Sequence, residues 1–265
     1  MPPESNPSRG RPRRPHRPTH QSHRKPGHSG RQSRERTPDK RPTKTLVHLP
    51  DDVVGELKGT ARPGKGGILV QVFAEAATAF EQENLAEAIR LGEQAKHIAL
   101  RSSSVRELLG LAYYRNGQFK DAARELSAFR RIAGSTEQNP VLADCYRAMG
   151  KPERAVELCD EVDASVPEPV RYEGAIVAAG ALADMGRVDD AITRIETLDL
   201  EPVNAGNHHL RAWYVLADLL ERRGRFTQSL AYFESVAAAD AESTDAPERA
   251  RKLKGAEHTP ETQGR

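Results

Sequence analysis

The side chains able to do chemistry are few and scattered. Outside the first 44 residues the repeat region offers His97 and the adjacent pair His208 and His209, with Cys145 and Cys159 as its thiols. None falls into a metal-ligand spacing such as HExxH or a CxxC pair. The two cysteines read as reduced core residues, since a free cysteine behaves as a small apolar side chain. The histidine pair sits in a long connection at a helix start and reads as solvated. There is no GxSxG turn for a nucleophilic serine and no glycine fingerprint for a dinucleotide. The stretch RPGKGG at residues 62–67 resembles a phosphate loop only loosely, because it lacks GxxxxGK[ST] and a preceding strand. It reads as a linker. Asp189 and Asp190 follow a turn, where a helix start favours acidic groups electrostatically. The expectation is no catalytic residue, no metal and no cofactor.

Charge is the stronger signal. Residues 1–44 hold thirteen Lys and Arg and three acids, while the remaining chain holds twenty-seven Lys and Arg against thirty-five acids. A basic tail is joined to an acidic body, a pattern of interaction tails. The tail contains nine prolines, and its first Leu, Ile, Val or aromatic neighbour is Leu46. Without apolar side chains nothing offsets a backbone entropy of roughly 1–2 kcal/mol per residue, so it is expected to be disordered. Arg9, Arg11, Arg13, Arg14, Arg17, Arg24, Lys25 and Arg31 are its candidate phosphate contacts. They would give non-specific RNA or ribosome binding through counterion release. No aromatic residue is present to stack on bases. RGRPRRP at residues 9–15 also matches a polyproline ligand pattern. No apolar run is long enough for a secretory signal or a membrane span, which makes the cytoplasm the expected location.

The elements that must position any site emerge from an internal repeat. Five segments, 74–95, 108–129, 141–162, 177–198 and 215–236, align without gaps, with starts 34, 33, 36 and 38 residues apart. Each carries two helical apolar patterns around a break. Gly117, Gly150, Gly186 and Gly224 share one position in that break, where a sharp reversal needs a left-handed residue. The first segment has Glu83-Asn84 there, and Asn tolerates that conformation next best. Small residues twelve apart bracket the turn: Ala76/Ala88, Gly110/Ala122, Ala143/Ala155, Ala179/Ala191 and Ala217/Ser229. Two helices approach to roughly 8–10 Å only where the side chains between them allow it. Aligned bulky residues such as Leu109, Leu142 and Leu216 would fill the core shared by adjacent hairpins.

This arrangement resembles the tetratricopeptide repeat (TPR) family, with LLGLAYYRNGQFKDAA at residues 108–123 a close match. Pro167, Pro202 and Trp213 also fall at positions the family favours. The fold class implied is all-α, an α-solenoid of about five hairpins, with a disordered basic N-terminal tail at 1–45. A short helix and linker at 46–67 precede the repeat domain at 68–240. A short capping helix and polar tail are expected at 241–265. Trp213 is expected to pack in the core. The resemblance further implies a concave groove lined by the first helix of each repeat. Its exposed positions would be Phe73, Phe80, Glu107, Leu111, Tyr114, Arg115, Asp144, Arg147, Ile176, Tyr214, Asp218 and Arg222. Aromatics mixed with both charge signs suit a protein or peptide partner. The carboxylate-clamp subtype would need Lys, Asn and Arg where this chain has Phe73, Ala77, Leu108, Glu137 and Val141, so that activity is not carried over. Two functions are in view. One is a non-enzymatic bacterial adaptor that holds a protein segment, and the other is an RNA- or ribosome-associated factor that uses the tail. A weaker third is an enzyme subunit whose catalytic partner is another chain.

Overall fold

A computed structural model describes residues 46–257, which contain twelve α-helices. α1 (Asp51–Thr60) is followed by five antiparallel pairs. These are α2 (Gly66–Glu81) with α3 (Leu85–Ile98), α4 (Ser103–Arg115) with α5 (Phe119–Ala133), α6 (Asn139–Ala148) with α7 (Pro152–Asp160), α8 (Glu168–Asp184) with α9 (Val188–Glu196), and α10 (Asn207–Arg222) with α11 (Phe226–Ala239). α12 (Ala246–Glu257) follows. The tail residues named above lie outside the described residues.

Each hairpin turns where the glycines stand. Gly117, Gly150, Gly186 and Gly224 have φ of 73°, 71°, 77° and 79°, values that cost a Cβ-bearing residue roughly 1–2 kcal/mol. The first turn differs from the expectation. Glu83, not Asn84, takes the left-handed conformation, at φ 59°. Asn84 instead caps α3, its side chain accepting the Glu87 N–H. Glu83 aligns with Gly117, so register outweighs side-chain preference. Its carboxylate pairs with Arg115 at 2.7 Å, but both groups are exposed, and such pairs contribute little. Glu83→Gly is therefore expected to stabilise the protein by roughly 0.5–1 kcal/mol, read from urea unfolding. A net loss would mean the ion pair outweighs the backbone strain.

Every small residue of the five brackets is buried at its helix crossing. At Gly110 the reason is explicit: a Cβ there would lie 2.7 Å from Leu126 Cγ and 3.3 Å from its backbone nitrogen. Ser229 resolves its polarity by donating to the Ala217 carbonyl at 2.8 Å. Pro140 and Pro169 sit in the first turns of α6 and α8, where a missing N–H costs nothing. Cys145 and Cys159 are free and buried in the central core, and burial pushes both thiols up to about 12.

The hairpins stack through nearest neighbours. The first helix of each hairpin touches the next first helix, and each second helix packs against the following first helix. First-helix faces therefore form one continuous surface. α1 closes the beginning: Leu57 is fully buried, and Glu56 accepts from Ser102 Oγ at 2.9 Å and from the Ser103 N–H at 2.7 Å. RPGKGG connects α1 to α2, so it follows a helix rather than a strand.

Candidate partner-binding groove

The expected groove residues are distributed along α2, α4, α6, α8 and α10, and the structure sorts them into three kinds. Phe73 belongs to the core. It is only 7% exposed and clusters with Leu57 and Leu69, against which Leu49 and Val53 pack. The preceding segment covers this part of α2, with the Val47 N–H donating to Thr78 Oγ1 at 3.0 Å. The groove face of the first hairpin around Phe73 is thus occupied by the chain itself.

The second kind forms a polar ladder between neighbouring first helices. The Arg115 guanidinium lies 4.9 Å from the centroid of the Phe80 ring and also pairs with Glu83. Glu107 accepts from Gln138 Nε2 at 2.8 Å. Burial raises its carboxyl, and that hydrogen bond works in the opposite direction. Tyr114 donates to Asp144 Oδ2 at 2.7 Å. Burial and the Asp144 carboxylate both raise the phenol. Arg147 reaches across from α6 to Asp184 at 2.5 Å while staying 3.4 Å from Asp144. Leu111 of α4 is half-buried.

At the far end α12 enters the same surface. Arg249 pairs with Asp218 at 2.9 Å and with Glu221 at 2.6 Å, while Arg222 pairs with Asp218 at 2.7 Å. Burial works against the Arg249 charge, but Tyr214, Glu221 and Asp218 outweigh it and hold the guanidinium firmly protonated.

The third kind is open. Ile176 of α8 and Tyr214 of α10 come together in a cleft of about 340 Å³. Leu210, Val215 and Val236 complete its apolar lining, and Arg211, Asp240, Ser243 and Thr244 supply its polar part. Tyr214 is held in place by donating to Asp245 Oδ1 at 2.7 Å and by an edge contact with Phe233 at 5.6 Å. Sequence reading missed Leu210, Val215 and Val236. Val236 belongs to α11, a second helix, and reaches the cleft because that helix ends beside it.

Two expectations outside the groove are also decided. Trp213 packs beside Phe233 and Ala217, and its Nε1 donates to the Leu200 carbonyl at 3.0 Å, tying down the long α9–α10 connection. His208 and His209 are not a solvated pair. His209 is 5% exposed, and both rings pack edge-on against Tyr172 at 4.7 and 4.9 Å. An aromatic on α8 thus supplies an apolar wall for two imidazoles of α10.

Continuous stacking of turn-glycine hairpins now meets an independent match. A family model described as tetratricopeptide repeat covers residues 176–244, the part that contains the cleft. Residues 176–244 are tetratricopeptide repeats, and the hairpins before them share that repeat fold. Among solved structures, the thermophilic TPR protein TTC0263 of Thermus thermophilus aligns with a TM-score of 0.52 at 16% identity. That alignment covers 70% of this chain and 98% of TTC0263. The MamA protein aligns with a TM-score of 0.52 at 18% identity, over 71% of this chain and 96% of its own. These likenesses concern the TPR fold. No curated protein matches the sequence. Among the described residues, no helix is long and apolar enough to cross a membrane.

Proposed function

We propose that this protein is a non-enzymatic adaptor that holds a segment of another protein on its first-helix surface, with the α8–α10 cleft as the anchor point. TPR folds typically mediate contacts between proteins. The observation that carries the reading is the apolar cleft joining Ile176 and Tyr214. Apolar anchors seated in desolvated pockets contribute most of the affinity in protein interfaces. Phe80, Glu107, Leu111, Tyr114, Arg115, Asp144, Arg147, Asp218 and Arg222 would line the path on either side. Most of them already have partners within the chain. They would set register and selectivity, because a bound segment must offer hydrogen bonds at least as good as those it displaces. An apolar or aromatic side chain flanked by polar groups is the ligand chemistry this surface fits.

The test is site-specific crosslinking in full-length protein. A photoreactive residue at Ile176 is expected to capture a defined segment in host extract, and the same residue at Arg154 on α7 is not. The captured segment, made as a peptide, is then titrated against wild type and Ile176→Glu. At least tenfold weaker binding is expected, equivalent to about 1.4 kcal/mol. Equal affinity for both proteins would move the site off the cleft.

A second reading rests on the tail's charge, thirteen Lys and Arg within 44 residues. If the tail contacts RNA, log K falls steeply with log salt, and deleting residues 1–44 abolishes the binding. Absence of RNA affinity at low salt would dispose of this role and leave the cleft untouched.

A further inference from the structure

The long connection before α10 brings two imidazoles to a carboxylate. Glu168 opens α8, and His208 and His209 lie in the first turn of α10. One potential ligand atom from each of the three residues lies within 4.8 Å of the others. His208 Nε2 is 3.6 Å from Glu168 Oε2. The two rings lie 4.0 Å apart between centroids and are tilted by 40°. We propose that Glu168, His208 and His209 form a binding site for a divalent transition metal, with Zn²⁺ the ion their chemistry fits best.

Three observations support this. First, the donor set suits the ion: zinc binds imidazole nitrogen at about 2.0–2.1 Å and carboxylate oxygen at about 2.0–2.2 Å. Tetrahedral bonds of those lengths place ligand atoms about 3.3–3.5 Å apart, close to the separation between His208 and Glu168. Second, His208 Nε2 is a buried nitrogen without a hydrogen-bond partner. Its nearest acceptor, Glu168 Oε2 at 3.6 Å, is beyond hydrogen-bond reach, and a metal held by both groups would fill that gap. Third, the surroundings hold the ligands in place. Tyr172 walls both rings. Arg171, the nearby cation on the same helix, lies 4.0 Å from Oε1, the other oxygen of Glu168.

One contact must change on binding. His209 Nδ1 accepts the Gly206 N–H at 3.0 Å. Coordination by His209 exchanges that hydrogen bond for a metal bond, and the backbone around Gly206 takes up the adjustment. Such a site would join the start of α8 to the start of α10, just past the stretched α9–α10 connection. It would also fix Asn207 and Arg211, which line the adjacent cleft.

The test uses full-length protein stripped with chelator and titrated with Zn²⁺ by calorimetry, with Co²⁺ absorbance reporting the coordination geometry. The tail carries four histidines of its own, so the comparison is between variants that all retain them. Wild type is expected to bind one equivalent more than His208→Ala and to gain thermal stability with Zn²⁺. Glu168→Gln, a change at an exposed side chain that leaves the core intact, is expected to weaken that equivalent by roughly tenfold or more. A tetrahedral Co²⁺ spectrum present in wild type and lost in His208→Ala would support the site. Wild type binding Zn²⁺ no better than both variants, or showing no Zn²⁺-dependent stabilisation, would overturn it.

Discussion

Replacing Glu125 by alanine is expected to destabilise the protein by roughly 3–5 kcal/mol, the usual cost of stranding a buried ion-pair network. The Glu125 side chain is fully buried at the α3–α4–α5 junction. It accepts from Lys96 at 3.1 Å, from Arg124 at 3.0 Å and from Arg106. Lys96 and Arg106 are themselves only 14% and 16% exposed, so both lose their counter-charge where water reaches them poorly. Lys96 would keep Glu93, which also accepts from the Tyr113 hydroxyl. Urea unfolding of Glu125→Ala, compared with the triple change of Lys96, Arg106 and Glu125 to methionine, separates two effects. The triple variant is expected to recover much of the loss, since apolar packing of similar volume often equals a buried ion network. A single-variant loss below about 1 kcal/mol would show the network to be solvated instead.

The same node has a pH signature. Burial pushes the Glu125 carboxyl up, but hydrogen bonds from Arg106 and Lys96 outweigh this and hold it below its usual value. A carboxyl lowered on folding contributes stability that is fully present above its unfolded pKa. That contribution is lost as pH falls through its folded value. The stability gap between wild type and Glu125→Ala is therefore expected to be widest near neutrality and to narrow in acid.

Phe233→Ala is expected to cost about 3–5 kcal/mol and to act on one end of the protein. Phe233 is fully buried and clusters with Ala217, Val236, Ala246, Ala250 and Leu253. The Arg249 guanidinium lies 4.3 Å from the centre of its ring. Removing the ring takes away the surface on which α12 docks. Because stacked repeats are stabilised through nearest neighbours, amide exchange is expected to accelerate in α10, α11 and α12 and to change little in α2–α5. Uniform acceleration along the chain would instead mean that the array unfolds as a single cooperative unit.

Much of the architecture was legible because it rests on local rules. Turn glycines and small residues twelve apart recur at fixed spacing, and spacing is what a sequence displays directly. What was not legible depended on neighbours distant in the chain. Phe73 aligned with groove positions, but it joins a core cluster with Leu57 of α1. Glu125 occupies a position held by Leu91 and Leu158 in adjacent repeats, and the repeat pattern alone does not say how its charge is met. Its partners Lys96 and Arg106 lie on other helices. His208 and His209 looked solvated because nothing nearby in sequence predicts that Tyr172, some thirty-six residues earlier, packs against them. The cleft needed the end of α11 to close it. In each case, contacts between elements separated in the chain override a reading made along one helix.

The polar ladder along the first helices has a mechanical consequence. Beyond the pairing within each hairpin, every substantial contact between hairpins joins immediate neighbours, so small angular changes at each junction add along the array as in a coil spring. The ladder braces one edge of that spring with ion pairs such as Arg147–Asp184 and Arg211–Glu173. Ion pairs also join successive second helices or their ends, Lys96–Glu125, Arg130–Glu161 and Arg194–Asp160, and brace the opposite edge. Screening the exposed pairs with salt therefore loosens both edges, and makes end-to-end length respond to ionic strength without any helix melting.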